Sequence, residues 1–126
     1  MKKYTLPKEF AEKWIKALRS GDYKQGDEML MTYSEEYCCL GLACKIAGIT
    51  PKSGYTYGFP YDLQRLEKFD LTALPELLRE ECAGIYNLDK PANEQVNFNC
   101  TVARLNDSGY TFIEIADWIE SNTEFV

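Results

Sequence analysis

The ten residues from Cys38 to Ala47 carry one charge, Lys45, among Cys39, Leu40, Leu42, Ala43, Cys44, Ile46 and Ala47. Such a segment offers water almost no acceptable side, and a helix apolar on most sides belongs inside a domain. Gly48, with Pro51 close behind, supplies its stop. Other elements must therefore cover it. Gly41 inside the helix costs about 1 kcal/mol relative to alanine. Its presence predicts that another backbone, or a ligand, comes close at that point.

The covering elements are legible as amphipathic stripes. Phe10, Ala11, Trp14, Ile15 and Leu18 recur at helical spacing over Pro7 to Ser20, with Glu9–Lys13 and Glu12–Lys16 pairs on the wet side and Gly21 as the stop. The spacing places Cys39, Leu42, Ala43 and Ile46 against Trp14 and Leu18. Residues 21–26 read as a turn-rich connection, and 27–36 follow no single period. Tyr55, Tyr57 and Phe59 alternate within a Gly- and Tyr-rich stretch, 53–61, that reads as a loop or short hairpin. A helix is predicted over Leu71 to Cys82, with Leu74, Leu77 and Leu78 inward and Gly84 beyond it. Residues 86–96 read as loop. Phe98, Val102 and Leu105 mark a further helix, ended by Asn106-Asp107-Ser108-Gly109. Thr111 and Glu114 then form a capping box, Tyr110 and Ile115 stand at hydrophobic-staple positions, and Phe112, Ile115, Ala116 and Ile119 form the last stripe. The predicted fold is mainly α: one domain over 1–126, about five helices around a buried central helix, with room for one short hairpin.

Composition narrows the chemistry. The chain of 126 residues contains no histidine, which removes Cys-His and Ser-His-Asp catalysis, imidazole metal sites and imidazole acid–base work. Its five cysteines, Cys38, Cys39, Cys44, Cys82 and Cys100, include no Cys-x-x-Cys pair, so they read as reduced, core-filling thiols rather than a zinc site or disulfide framework. Cys38 or Cys39 at a helix N-terminus is the sharpest catalytic idea, because the helix dipole favours thiolate there, but no base accompanies it. Glu35-Glu36 and Glu80-Glu81 are adjacent and do not face each other on a helix. Asn106 to Gly109 lacks a full calcium-loop pattern and reads as a turn. No catalytic residue, metal or cofactor is expected. No apolar run reaches the roughly 20 residues of a membrane span, and Met1-Lys2-Lys3 leads into charged sequence rather than an apolar signal core.

Charge is the remaining signal. The net charge is −6, against the basic excess of a nucleic-acid binder. Residues 1–20 hold six bases against Glu9 and Glu12, whereas Asp107, Glu114, Asp117, Glu120 and Glu124 follow Arg104 with no base among them. This polarity fits internal pairing of the two ends, a head-to-tail contact between copies, or two binding faces. A helix-turn-helix over 98–121 would present Glu114, Asp117 and Glu120 to phosphates, which repel them.

Several segments together resemble a family of small proteins encoded by bacteriophages and prophages. They are Trp14, Ala17-Leu18-Arg19-Ser20-Gly21 with Tyr23 and Gln25, Tyr37-Cys38-Cys39-Leu40-Gly41 with Cys44, Leu74-Pro75 with Gly84-Ile85, and Leu105-Asn106-Asp107, Gly109, Phe112, Ile115-Ala116-Asp117 and Ile119-Glu120. The resemblance implies a bacterial host cytoplasm as the working compartment and supplies no catalytic residue. Two functions are then expected. The first is a non-enzymatic protein that meets a basic patch on a host protein, as an inhibitor of host defence or machinery, through Glu114, Asp117, Glu120 and Glu124. The second is a trap for a small nucleotide-like ligand, stacking it on Tyr55, Tyr57, Phe59 and Tyr61 and holding phosphate with Arg19. An atypical cysteine enzyme ranks third.

Overall fold

Trp14 sets the arrangement of the first two helices. In the computed structural model, which describes residues 2–51, 70–80 and 87–126, α1 spans Lys8–Ser20 and α2 spans Cys39–Ile46. The α1 stripe buries Ala11, Trp14, Ile15, Ala17 and Leu18, and the Trp14 indole donates to the Cys39 carbonyl at 3.1 Å. Every residue from Cys39 to Cys44 is buried, as the near absence of charge requires. Ile46 departs from expectation: it is only half-buried, at the end of α2. Gly41 has the neighbour that its position predicts. A methyl group there would fall on the carbonyl oxygen of Leu30, so the chain at Leu30 crosses α2 at backbone contact distance.

The chain then forms α3, Phe98–Asp107, and α4, Phe112–Asn122. The described residues are mainly α, with four α-helices among them. Asn97 caps α3 by accepting from the Cys100 amide at 2.7 Å. Ser108 and Gly109, the latter at φ 93°, make the turn. The capping box is present in full: Thr111 Oγ1 accepts from Glu114 N at 3.1 Å, and Glu114 Oε1 accepts from Thr111 N at 2.9 Å. In the staple pair Ile115 is fully buried, while Tyr110 remains 40% exposed. Helix α1 packs on α2 and α4, and α3 packs on both α2 and α4.

Two segments differ from the sequence reading. The helix expected from Leu71 to Cys82 is replaced, over its described part, by two 3₁₀ turns, Leu71–Ala73 and Glu76–Arg79. Pro75 is the cause: its ring disfavours helical backbone at the preceding residue, and Leu74 is extended at φ −85°, ψ 144°. Leu71, Leu74 and Leu78 are still buried, with Leu77 half-buried. The second difference is a strand pair absent from the reading. Strands β1, Tyr4–Leu6, and β2, Thr123–Phe125, lie parallel with Tyr4 opposite Thr123 and Leu6 opposite Phe125. Val126 N donates to Leu6 O, and Lys8 N to Val126 O, extending the ladder past both strands. Against this pair stands an aromatic cluster. Tyr4 meets Phe98 edge-on at 5.2 Å, and Phe98 lies 5.8 Å from Trp118 and 6.1 Å from Trp14.

Candidate functional site

Three of the sequence segments singled out above, those holding Gln25, Cys39 and Asn106, meet at one corner around the side chain of Asn106. This residue is buried on the last turn of α3, where its carboxamide bonds two other stretches of chain. Asn106 Oδ1 accepts from Cys39 N and from Gln25 Nε2, each at 3.1 Å, and Asn106 Nδ2 donates to Gly26 O at 2.8 Å. Gln25 completes the link: its Nε2 also donates to Tyr110 O at 2.7 Å, and its Oε1 accepts from Phe112 N at 2.9 Å. Asp107 Oδ1 accepts from the amide of Glu28, a residue at φ 63°. The Asn-Asp-Ser-Gly segment, read as a turn, is one only at Ser108-Gly109, with Asn106 and Asp107 closing α3. It is also the anchor that ties residues 25–28 to the starts of α2 and α4, a role that spacing alone did not disclose.

The cysteines at this corner are built into the interior. Cys38 is the N-cap of α2, its sulfur accepting from Gly41 N at 3.4 Å, and Cys39 donates its thiol to Val102 O at 3.4 Å. Burial pushes the Cys38 thiol up to about 11, against the lowering effect of the Gly41 amide. Burial likewise raises Cys39, with smaller contributions from the neighbouring Cys38 and the Asp107 carboxylate, and it raises Cys44. Desolvation outweighs the helix N-terminus, so these thiols stay protonated near neutrality. Cys100 is also buried, and Cys82 lies outside the described residues. No group of three or more metal-ligating side chains occurs among the described residues.

The acidic residues of the last helix do not form one open face. Arg19, at the end of α1, reaches Asp117 at 2.7 Å and Glu120 at 2.9 Å through Nη2, with Nε 3.3 Å from the same Glu120 oxygen. Lys2 Nζ donates to the Glu120 carbonyl at 2.7 Å. Of the three expectations for the charged ends, internal pairing is the one with bonds to its name. Glu114 folds back into the capping box, and Glu124 is exposed on β2. The structure therefore joins Arg19, expected at a phosphate, to two carboxylates expected at a partner. Tyr55, Tyr57, Phe59 and Tyr61 lie outside the described residues.

Uncompensated acid lies elsewhere. Residues 21–37 carry Asp22, Asp27, Glu28, Glu35 and Glu36 against Lys24 alone. The same stretch exposes Tyr33 almost fully. Beside it an open groove of about 310 Å³ runs between Asp27 and Glu36 on one side and Asn106, Tyr110 and Thr111 on the other. A larger groove of about 540 Å³, floored by Phe10, Ile46 and Leu74, has Lys13 and Arg79 at its rim. Lys13 is paired with Glu9 at 3.3 Å, and Arg79 Nε donates to Leu74 O at 3.1 Å.

No helix among the described residues is long and apolar enough to cross a membrane. No curated protein and no solved structure matches the chain. A family model does, over residues 6–123, from the end of β1 to the start of β2 and through every element of the corner just described. The chain belongs to that family, the domain of unknown function DUF8296.

Proposed function

We propose that this protein is a non-enzymatic binding module that engages a basic partner protein through an acidic surface. The observation that carries the reading is the stretch 21–37. It holds five carboxylates against one lysine, and bonds from Gln25, Gly26 and Glu28 to Asn106 and Asp107 tie its 25–28 segment to the corner of α2, α3 and α4. A charged surface held in place loses little freedom on binding and steers an oppositely charged partner toward it. The exposed Tyr33, Tyr110 and Ile113 supply apolar contact area on the same elements. The acids of α4 contribute less, since Arg19 neutralises part of their field. The buried thiols and the absence of histidine support binding over catalysis. The resemblance to phage-encoded proteins supports a host protein as the partner and the host cytoplasm as the place.

Affinity purification from a bacterial lysate at low and high salt, followed by mass spectrometry, tests the reading beside the triple variant Asp27→Lys, Glu28→Lys, Glu35→Lys. The expected result is a basic host protein retained by the wild type at low salt, reduced at high salt and lost by the variant. A retained nucleotide-like metabolite, or a partner held equally by both forms, overturns it.

A further inference from the structure

Within the acidic surface, one carboxylate differs from the others. In the ion pairs among the described residues, the side chains of Glu12, Glu9, Asp117 and Glu120 are 59%, 85%, 63% and 47% exposed, and that of Glu36 only 29%. A carboxylate that keeps less water draws a cation more strongly at a given distance. Glu36 is also fixed by its backbone. Its amide donates to Thr32 Oγ1 at 3.1 Å, its carbonyl accepts from Thr32 N at 2.8 Å, and only the missing side chain of Gly26 leaves room for its Cβ.

The ammonium now beside Glu36 is a weak occupant. Lys24 stands 3.6 Å away, long for a charge-assisted hydrogen bond, and its side chain is 78% exposed. Asp27 lines the same groove, and Tyr110, 40% exposed, forms a wall of it. Two carboxylates beside a partly exposed tyrosine suit a guanidinium, which hydrogen-bonds in its plane and can stack on an aromatic ring, better than an ammonium. We propose that this groove receives an arginine side chain of the basic partner, which displaces Lys24 from Glu36 and lies against Tyr110. The assignment rests on the binding function proposed above and names the chemistry that would be recognised.

The test uses the full chain, isotope-labelled, titrated with capped nona-arginine at low ionic strength while amide shifts are mapped. The largest shifts are expected at Gln25, Gly26, Glu36, Tyr110 and Thr111. Glu36→Gln should weaken binding about fivefold, the range of one partly screened ion pair. Lys24→Gln should strengthen it more than Lys13→Gln, which changes the net charge equally but lies on α1. Equal effects of the two lysine variants, with shifts still centred on residues 21–37, remove the groove and leave the acidic-surface reading standing, whereas shifts centred on α4 remove both. No binding at low salt removes both.

Discussion

At Gly41 a single missing methyl group decides whether two parts of the chain can pass. The Leu30 carbonyl occupies the space that a Cβ would fill, and a Cβ would also lie 2.6 Å from the Leu30 carbonyl carbon. Backbone cannot swing aside as a flexible side chain can. Gly41→Ala should therefore cost about 3 kcal/mol, the upper range for overpacking, although alanine favours the helix itself. Gly48→Ala serves as the comparison, because Gly48 sits at φ 83° with open space around it and should lose only about 1 kcal/mol. Urea midpoints of the two variants measure the difference. Equal losses would mean that the crossing at Leu30 is not tight. The helix and its glycine were legible from the residues alone, but the identity of the neighbour was not, because Leu30 lies in a stretch with no periodic pattern.

Among the elements, α1 and α4 are held together by packing and by Arg19. The guanidinium and both carboxylates are partly exposed, so the ion pairs add little in high dielectric and are screened by salt. Arg19→Gln should lower stability by about 0.5–1 kcal/mol at low ionic strength and by less in 1 M salt. A loss unaffected by salt would assign Arg19 a packing role. The α4 capping box was readable because Thr111 and Glu114 lie three residues apart in one turn. The Arg19 pairing was not, since its partners are 98 and 101 residues away. Pro75 shows the opposite failure: the leucine spacing at 71–78 suggests a helix, but the proline constraint outweighs it and leaves 3₁₀ turns that bury much the same leucines.

Across the whole molecule, the buried thiols give the fold a pH dependence. Cys38 ionises near 11 when folded, and burial raises Cys39 and Cys44 as well, whereas an unfolded cysteine ionises near 8.5. Below about pH 8.5 both states keep these protons, and the thiols leave stability unchanged. Above it the unfolded chain releases protons first, so the folded state holds more of them and stability falls as pH rises. Each thiol contributes a slope of at most about 1.4 kcal/mol per pH unit. Urea midpoints should fall from pH 9 toward 11, and Cys38→Ala should fall less steeply than wild type over that window. Parallel slopes would show that Cys38 ionises as readily folded as unfolded.

Sequence by itself determined the four stretches that become α1 to α4, which of them sheds water on nearly every side, where α4 is capped, and that no imidazole chemistry is available. Those properties depend on neighbours within a few residues, where composition and period act directly. Tertiary structure alone decided that β1 pairs with β2, that the Asn106 carboxamide joins Cys39, Gln25 and Gly26, and that Arg19 closes on Asp117 and Glu120. Each of these contacts brings together residues separated by most of the chain. A three-residue strand or a lone asparagine has the same local pattern whether or not its distant partner arrives, so only the packed fold selects it.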